Sequence, residues 1–232
     1  MTKIYRIKEI FYTLQGEGAQ AGRPSVFCRF SKCNLWNGKE ESRAQAVCDF
    51  CDTDFIGTDG ENGGTYTALE LVQLISSLWP GKPTPQTKDK NQGSPYIVCT
   101  GGEPLLQLDE PLIEVMHNYG FEVAVETNGT LPAPEGLDWI CLSPKADAEL
   151  SLIECDELKL VYPQPSAMPE SFDHIQASHR YIQPMADASL DYIATDAHQG
   201  LSQSNTQKAT NYCLKHPQWK LSLQTHKMLG IE

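Results

Sequence analysis

The feature that most narrows the fold of this chain is a recurring junction where a short apolar run stops at polar or turn-forming residues. It occurs at CT-GGEP (99–104), ET-NGT (126–130), LS-PK (142–145), IQ-PM (182–185) and LQ-TH (223–226). The runs are strand-like: SVFCRF (25–30), YIVCT (96–100), FEVAVET (121–127), DWICLSPK (138–145), DELKLVYP (156–163), RYIQPM (180–185) and WKLSLQT (219–225). Amphipathic stretches alternate with them. TALELVQLISSLW (67–79) opens with a capping box of Thr67 and Glu70, and LDEPLIEVMHNYG (108–120) closes at Gly120. SQSNTQKATNYCLKHP (202–217) forms the last predicted helix. Parallel neighbours need a crossover, so this alternation predicts an α/β fold with a mostly parallel sheet. Ligands in such folds gather at the C-terminal strand ends, and the junctions mark a shared rim there.

The chain of 232 residues is read as one domain spanning 1–232, with an extended loop at 33–51 and a surface insertion at 80–95. PGKPTPQTKDKNQGSP (80–95) is rich in Pro, Lys, Gln and Gly, as a surface loop should be. The N-terminus carries early charge and no sustained apolar stretch, and no run is long enough to span a bilayer. The expected location is the cytoplasm, with no membrane partner. A net charge of −12 argues against nucleic acid as partner, since phosphate binding needs clustered Lys and Arg. One well-placed Arg can still clamp an anionic small molecule.

Of eight cysteines, Cys28, Cys99, Cys141, Cys155 and Cys213 lie in apolar or helical contexts that suit small buried side chains. The other three lie among polar and turn residues in CNLWNGKEESRAQAVCDFCDT (33–53). Fourteen residues separate Cys33 from Cys48, and two separate Cys48 from Cys51. Three thiols are one short of a closed structural zinc site. A thioredoxin-like CxxC would leave Cys33 unexplained. A [4Fe–4S] cluster on three cysteines would keep one iron for another ligand. Spacing alone leaves all three open.

IVCTGGEP (97–104) adds two glycines and Glu103 directly after a strand, about fifty residues beyond the cysteines. The plain reading is a tight turn, with Pro opening a helix. The functional reading is a backbone approaching a ligand's amino and carboxylate groups, with Glu103 accepting from an ammonium. With this motif the chain resembles the radical S-adenosylmethionine (SAM) superfamily, whose usual CxxxCxxC spacing is widened here in its first gap. FYTLQGEGAQAGRPSVFCRF (11–30), CDFCDT, TGGEP, VETNGT, LSPK, DELKLV, QPM and WKLSLQTHKMLGIE together resemble the 7-carboxy-7-deazaguanine synthases, specifically members with a CX14CX2C loop. The eight motifs agree in order over nearly the whole chain, skipping mainly 80–95 and parts of 147–178.

The resemblance implies a modified, partial (β/α) radical SAM barrel. It implies a Mg²⁺-dependent ring contraction of 6-carboxy-5,6,7,8-tetrahydropterin to 7-carboxy-7-deazaguanine with release of ammonia, on the way to queuosine and related deazapurines. Carried over residue by residue, Cys33, Cys48 and Cys51 hold a [4Fe–4S] cluster and Thr53 binds Mg²⁺, with Asp52 orienting a bound water or the loop backbone. Leu14, Gln15, Gly16, Glu17, Arg29, Thr100, His226 and Glu232 fall at the substrate. SAM falls to Phe50, Gly102, Glu103, Glu126, Ser143, Pro144, Lys145, Gln183, Pro184, Met185 and Ala186. Arg29 would fork the substrate carboxylate, and Glu126 would meet a ribose hydroxyl. The chain departs from related sequences in ending LGIE, which puts an extra carboxylate at Glu232. A homodimer and an electron donor such as flavodoxin are further implied partners. Two other readings compete. A radical SAM activase of a glycyl-radical enzyme would need neither LQGEG nor QTHK, and a non-catalytic zinc-binding α/β protein would be colourless.

Overall fold

The computed structural model describes residues 2–81, 93–186 and 204–231. One sheet of nine strands organises them: β1 (Tyr5–Leu14), β2 (Pro24–Phe30), β3 (Gly64–Tyr66), β4 (Tyr96–Gly101), β5 (Glu122–Thr127), β6 (Trp139–Leu142), β7 (Glu154–Tyr162), β8 (Gln176–Pro184) and β9 (Lys220–Leu221). Their order is β3-β1-β2-β4-β5-β6-β7-β8-β9. From β2 to β9 every pairing is parallel, whereas β1 runs antiparallel to both β2 and β3. The mostly parallel α/β sheet expected from the sequence is what forms.

The helices are α1 (Ala68–Leu78), α2 (Glu110–Asn118), α3 (Asn205–Lys215) and α4 (Thr225–Leu229). The capping box at α1 is present, with Thr67 Oγ1 accepting from the Glu70 N–H and Glu70 accepting from the Thr67 N–H. Asp109 caps α2 and Ser204 caps α3 one way only, each side chain accepting from a backbone N–H, that of Leu112 and of Gln207. Beneath α1 and α2, Val26, Cys28, Phe30, Ile97, Cys99, Val123 and Val125 form one apolar core; beneath α3, Leu158, Leu160, Ile182 and Trp219 belong to a second. Each such fully buried Leu, Ile or Phe side chain contributes roughly 1.5–3 kcal/mol of transfer free energy. Side chains alternate along a strand, so the neighbours of these residues face the other way. Phe27 and Arg29, Thr100, Glu126, Lys159 and Val161, and Gln183 all line one cavity on that opposite face.

Three elements differ from the sequence expectation. β1 was not foreseen, because a bulge between Ile7 and Glu9 breaks its alternation: Ile7 faces Phe30 and Glu9 faces Arg29, with Lys8 the extra residue. β3 is too short to give a period. The last strand contracts to Lys220–Leu221, and Thr225 opens α4 instead of ending a strand. The spacer between Cys33 and Cys48 carries one 3-10 turn over Glu40–Gln45. Most of the insertion at 80–95 lies outside the described residues.

Candidate active site

The cavity has a volume of about 510 Å³ and stretches from a thiol end to a carboxylate end. Cys33 follows β2 by a tight turn in which Lys32 takes a left-handed conformation (φ 79°). The turn is backed by the TGGEP segment: the Glu103 N–H donates to the Lys32 carbonyl at 2.9 Å. A Cβ on Gly102 would stand 2.3 Å from that carbonyl oxygen and 2.8 Å from Cys33 Cβ, so only glycine permits the approach. Cys48 and Cys51 enter from the far side of the spacer, and their thiols hydrogen-bond one another. Chiefly through that bond, Cys51 is brought down to about 6, while Cys48 and, by burial, Cys33 are pushed up.

The spacer is held by its own contacts. Trp36 packs edge-on against Phe55, with ring centroids 5.6 Å apart, and the Arg43 guanidinium lies 4.2 Å over the indole. Arg43 also donates to the Asp49 and Cys51 carbonyls at 3.0 and 2.9 Å. Lys145 lies within electrostatic reach of Cys48 and Cys51 and favours their thiolates. Three thiols on one cavity wall, facing a cation, form a donor set that fits an iron–sulfur cluster. Among the described residues no three Cys, His, Asp or Glu side chains converge on a point that could hold a single metal ion.

At the opposite end the groups stand on strands. Gln15, after β1, donates to Glu126 Oε1 at 2.9 Å. The Lys159 ammonium sits 2.6 Å from Glu17 Oε2 and 3.4 Å from Glu126 Oε1. Gln224 donates to the other Glu17 oxygen at 2.9 Å. Burial pushes the Glu17 carboxyl up, but the Lys159 charge and these hydrogen bonds outweigh it and hold it at about 2. Burial would likewise depress Lys159, yet the surrounding acidic groups, Glu126, Glu17 and Glu157 among them, keep it well above the ordinary lysine value. His226 lies so close to Gly16 that a Cβ there would stand 2.1 Å from Nδ1. The Thr225 N–H and hydroxyl both donate to the Gly16 carbonyl at 3.0 Å, docking α4 on the QGEG turn.

Between the ends, Arg29 donates its Nε–H to Glu9 at 2.7 Å, and Lys8 pairs with Asp54 and Asp59 at 2.8 Å each. Asp52 is paired with Lys227 at 2.9 Å, so its carboxylate ties the cysteine loop to α4. Leu14, Gln15, Gly16, Glu17, Arg29, Thr53, Thr100 and His226 line the cavity together with the three cysteines. So do Phe50, Gly102, Glu126, Ser143, Lys145 and the segment Gln183, Pro184, Met185 and Ala186.

Two expected residues do not line it. Pro144 is set back from the wall. Glu103 is fully buried, and its carboxylate already accepts from the Leu105 N–H, the Thr127 hydroxyl and the Asn128 N–H at 2.8–2.9 Å. It therefore staples the end of β4 to the end of β5 rather than waiting for a ligand's ammonium. Glu232 lies outside the described residues. Lys159, Gln224 and Lys227 were missed from the sequence. A lysine alternating with leucines inside DELKLV was the available signal, because a charge within a buried strand needs a partner.

No family model matches the chain. A 7-carboxy-7-deazaguanine synthase from Caulobacter vibrioides is 54% identical over 228 residues, which cover 98% of this chain and 99% of the relative. One from Burkholderia multivorans is 51% identical with the same coverage. The chain belongs to the 7-carboxy-7-deazaguanine synthase family. The crystal structure of QueE from Escherichia coli matches 95% of this chain and 94% of its own with a TM-score of 0.63; at 22% identity that likeness concerns the fold. The sheet is thus the partial radical SAM barrel expected from the sequence. Membership in the 7-carboxy-7-deazaguanine synthase family makes the protein a radical SAM lyase with a small-molecule substrate. It sets aside the glycyl-radical activase and the zinc-binding protein. Among the described residues no helix is long and apolar enough to cross a membrane.

Proposed function

We propose that the protein converts 6-carboxy-5,6,7,8-tetrahydropterin to 7-carboxy-7-deazaguanine and ammonia, with a [4Fe–4S] cluster on Cys33, Cys48 and Cys51, SAM, and Mg²⁺ at Thr53. The observation that carries this reading is one cavity with three thiols at one end, Gln15 and Glu17 at the other, and Arg29 between them. Bound there, the cluster and SAM would supply radical hydrogen-transfer chemistry.

The chain's own residues do the positioning. Glu17, held ionised by Lys159, accepts from the amino and amide edge of the pterin, with Gln15 beside it. Arg29 is turned into the cavity by Glu9, which engages only its Nε–H, so the two terminal nitrogens form the fork for the substrate carboxylate. Thr100 and His226 bound the ring. Thr53 offers a hydroxyl oxygen to Mg²⁺, which prefers oxygen ligands and keeps several waters. Phe50 would hold the adenine, and Gly102 would admit the amino and carboxylate groups of SAM. Glu126 takes the ribose, with Ser143, Lys145 and the Gln183–Ala186 segment completing the cradle. Lys145 donates to the Ser143 hydroxyl at 2.5 Å, which fixes both side chains at the rim. The chain acts as one domain over 1–232, as a cytoplasmic homodimer that draws electrons from a donor such as flavodoxin.

The test is anaerobic purification with iron–sulfur reconstitution, then incubation with SAM, reductant, Mg²⁺ and the carboxytetrahydropterin. A deazaguanine product with release of ammonia is expected; a reconstituted protein that makes none overturns the reading. Thr53→Ala should weaken the Mg²⁺ dependence of the rate, and an unchanged metal response removes Thr53 from the site.

A further inference from the structure

We propose that Lys159 is a positioning residue that joins the pterin-side carboxylate Glu17 to the SAM-side carboxylate Glu126, so that a ligand at either place strengthens binding at the other. The inference rests on the subsite assignment above and adds the connection between the subsites.

The alternation of β7 puts Leu158 and Leu160 into the core under α3 and leaves Lys159 and Val161 facing the cavity. The Lys159 side chain is 5% exposed. Burying an ammonium is costly by several kcal/mol unless geometry and hydrogen bonds compensate. Here the compensation comes from two carboxylates on different elements. Glu17 stands on the turn after β1 and Glu126 at the end of β5. The same Glu126 oxygen also accepts from Gln15, so one atom is shared by a pterin-side amide and the lysine. Gln224 braces the far oxygen of Glu17. The path Gln224–Glu17–Lys159–Glu126–Gln15 is therefore continuous, and its middle link is one ammonium on a flexible stem.

The ammonium is shared unequally, 2.6 Å from Glu17 and 3.4 Å from Glu126, and a ligand that engages either carboxylate resets that share. The second ligand then meets a carboxylate already adjusted and no longer bears that cost itself. By linkage, the tightening of SAM by pterin equals the tightening of pterin by SAM. An arrangement that only neutralised a buried lysine would show no such coupling.

The lysine also determines the charge state of its partner. Glu17 is faced by Lys159 and Glu157 from β7, Glu126 from β5, Cys141 from β6 and His226 from α4. Lys159 is the one fixed cation in that set. Without it, burial and the like charges would raise the Glu17 carboxyl and leave it partly protonated near neutrality.

The experiment uses the reconstituted holoprotein with the cluster kept oxidised, so that SAM stays intact. SAM dissociation constants are measured by equilibrium dialysis with and without the carboxytetrahydropterin. In the wild type, pterin should tighten SAM by about fivefold or more. In Lys159→Met the factor should fall to about one, with iron content and SAM binding alone retained, and Lys159→Arg should recover part of it. Pterin binding by Lys159→Met should weaken more steeply than that of the wild type as pH falls from about 8 to about 6. If Lys159→Met does not fold, Lys159→Gln decides, since its shorter neutral side chain keeps a polar group in the site, cannot span Glu17 and Glu126 together, and should still lose the coupling. Wild-type coupling in the folded variant, or a pH profile in Lys159→Met no steeper than that of the wild type, overturns the proposal. A wild type that binds both ligands without coupling defeats the Lys159 inference alone. A wild type that neither binds nor converts the pterin defeats the functional reading, and the inference falls with it.

Discussion

At one end of the cavity the ligating atoms hang from a loop, and at the other they stand on strands. The cysteine end has Cys33 tied to the sheet by the TGGEP turn, but Cys48 and Cys51 follow a fourteen-residue spacer held by an indole, a guanidinium and a few backbone bonds. The carboxylate end has Gln15, Glu17, Glu126, Lys159 and Gln224 wired to one another. The difference follows from what each end has to recognise. Thiolates bind iron through strong, short bonds that impose their own geometry, so the protein needs only to deliver them. A heterocycle is recognised by weak hydrogen bonds whose worth depends on donors and acceptors already in place.

The contrast predicts that damage at the cysteine end removes chemistry and spares the fold, whereas damage at the carboxylate end does both. The largest effect should come from Cys33→Ala: iron and sulfide content fall, product formation is abolished, and Tm of the metal-free protein moves by less than about 2 °C. A large drop in Tm would break the comparison. Glu17→Ala should leave iron content unchanged and lose pterin binding. It should also destabilise the fold by about 3 kcal/mol, because Lys159 then keeps only its longer contact with Glu126. Urea unfolding measures this, and a midpoint equal to wild type would show that the network carries no stability.

An acid titration sharpens the same point. The Glu17 carboxyl is depressed in the folded state to about 2, against 4.5 ordinarily, so its stabilising effect is complete above the ordinary value and disappears as pH falls towards 2. The stability gap between wild type and Glu17→Gln should accordingly be constant at neutral pH and close between about pH 4.5 and 2. A gap that persists at the acid limit would mean the effect is not ionic. The smallest change is expected from Lys227→Ala. Its pair with Asp52 is exposed on both sides, so unfolding free energy should shift by no more than about 0.5 kcal/mol, less still in high salt.

Much of this was readable in the sequence, for physical reasons that also explain the gaps. The parallel strands and their rim were legible because a strand buried on both faces leaves an apolar run that ends abruptly, as at IVCT-GG and VAVET-N. The capping box at Thr67 and Glu70 was legible because it is a local bond. The three cysteines stood out by polar context, and the family's motifs located most of the cavity wall. β1 escaped because the bulge at Lys8 shifts the phase of its apolar positions. Glu103 was misread because a glutamate after two glycines looks the same whether it faces a ligand or two backbone N–H groups on neighbouring turns. Lys159 was passed over because its meaning lies in partners 142 and 33 positions away in the chain.

The spacer between Cys33 and Cys48 has a consequence that polymer statistics make plain. Closing a flexible loop of fourteen residues in place of three costs about 1.4 kcal/mol more in chain entropy, roughly a tenfold penalty on the proposed cluster's affinity. A slack tether would carry that penalty in full. Here the segment is condensed by the Trp36–Phe55 contact and the Arg43 clasp, so part of the entropy is already surrendered before iron arrives. The indole and the guanidinium thereby act as ballast on the tether, shortening it in effect while leaving its length in the sequence untouched.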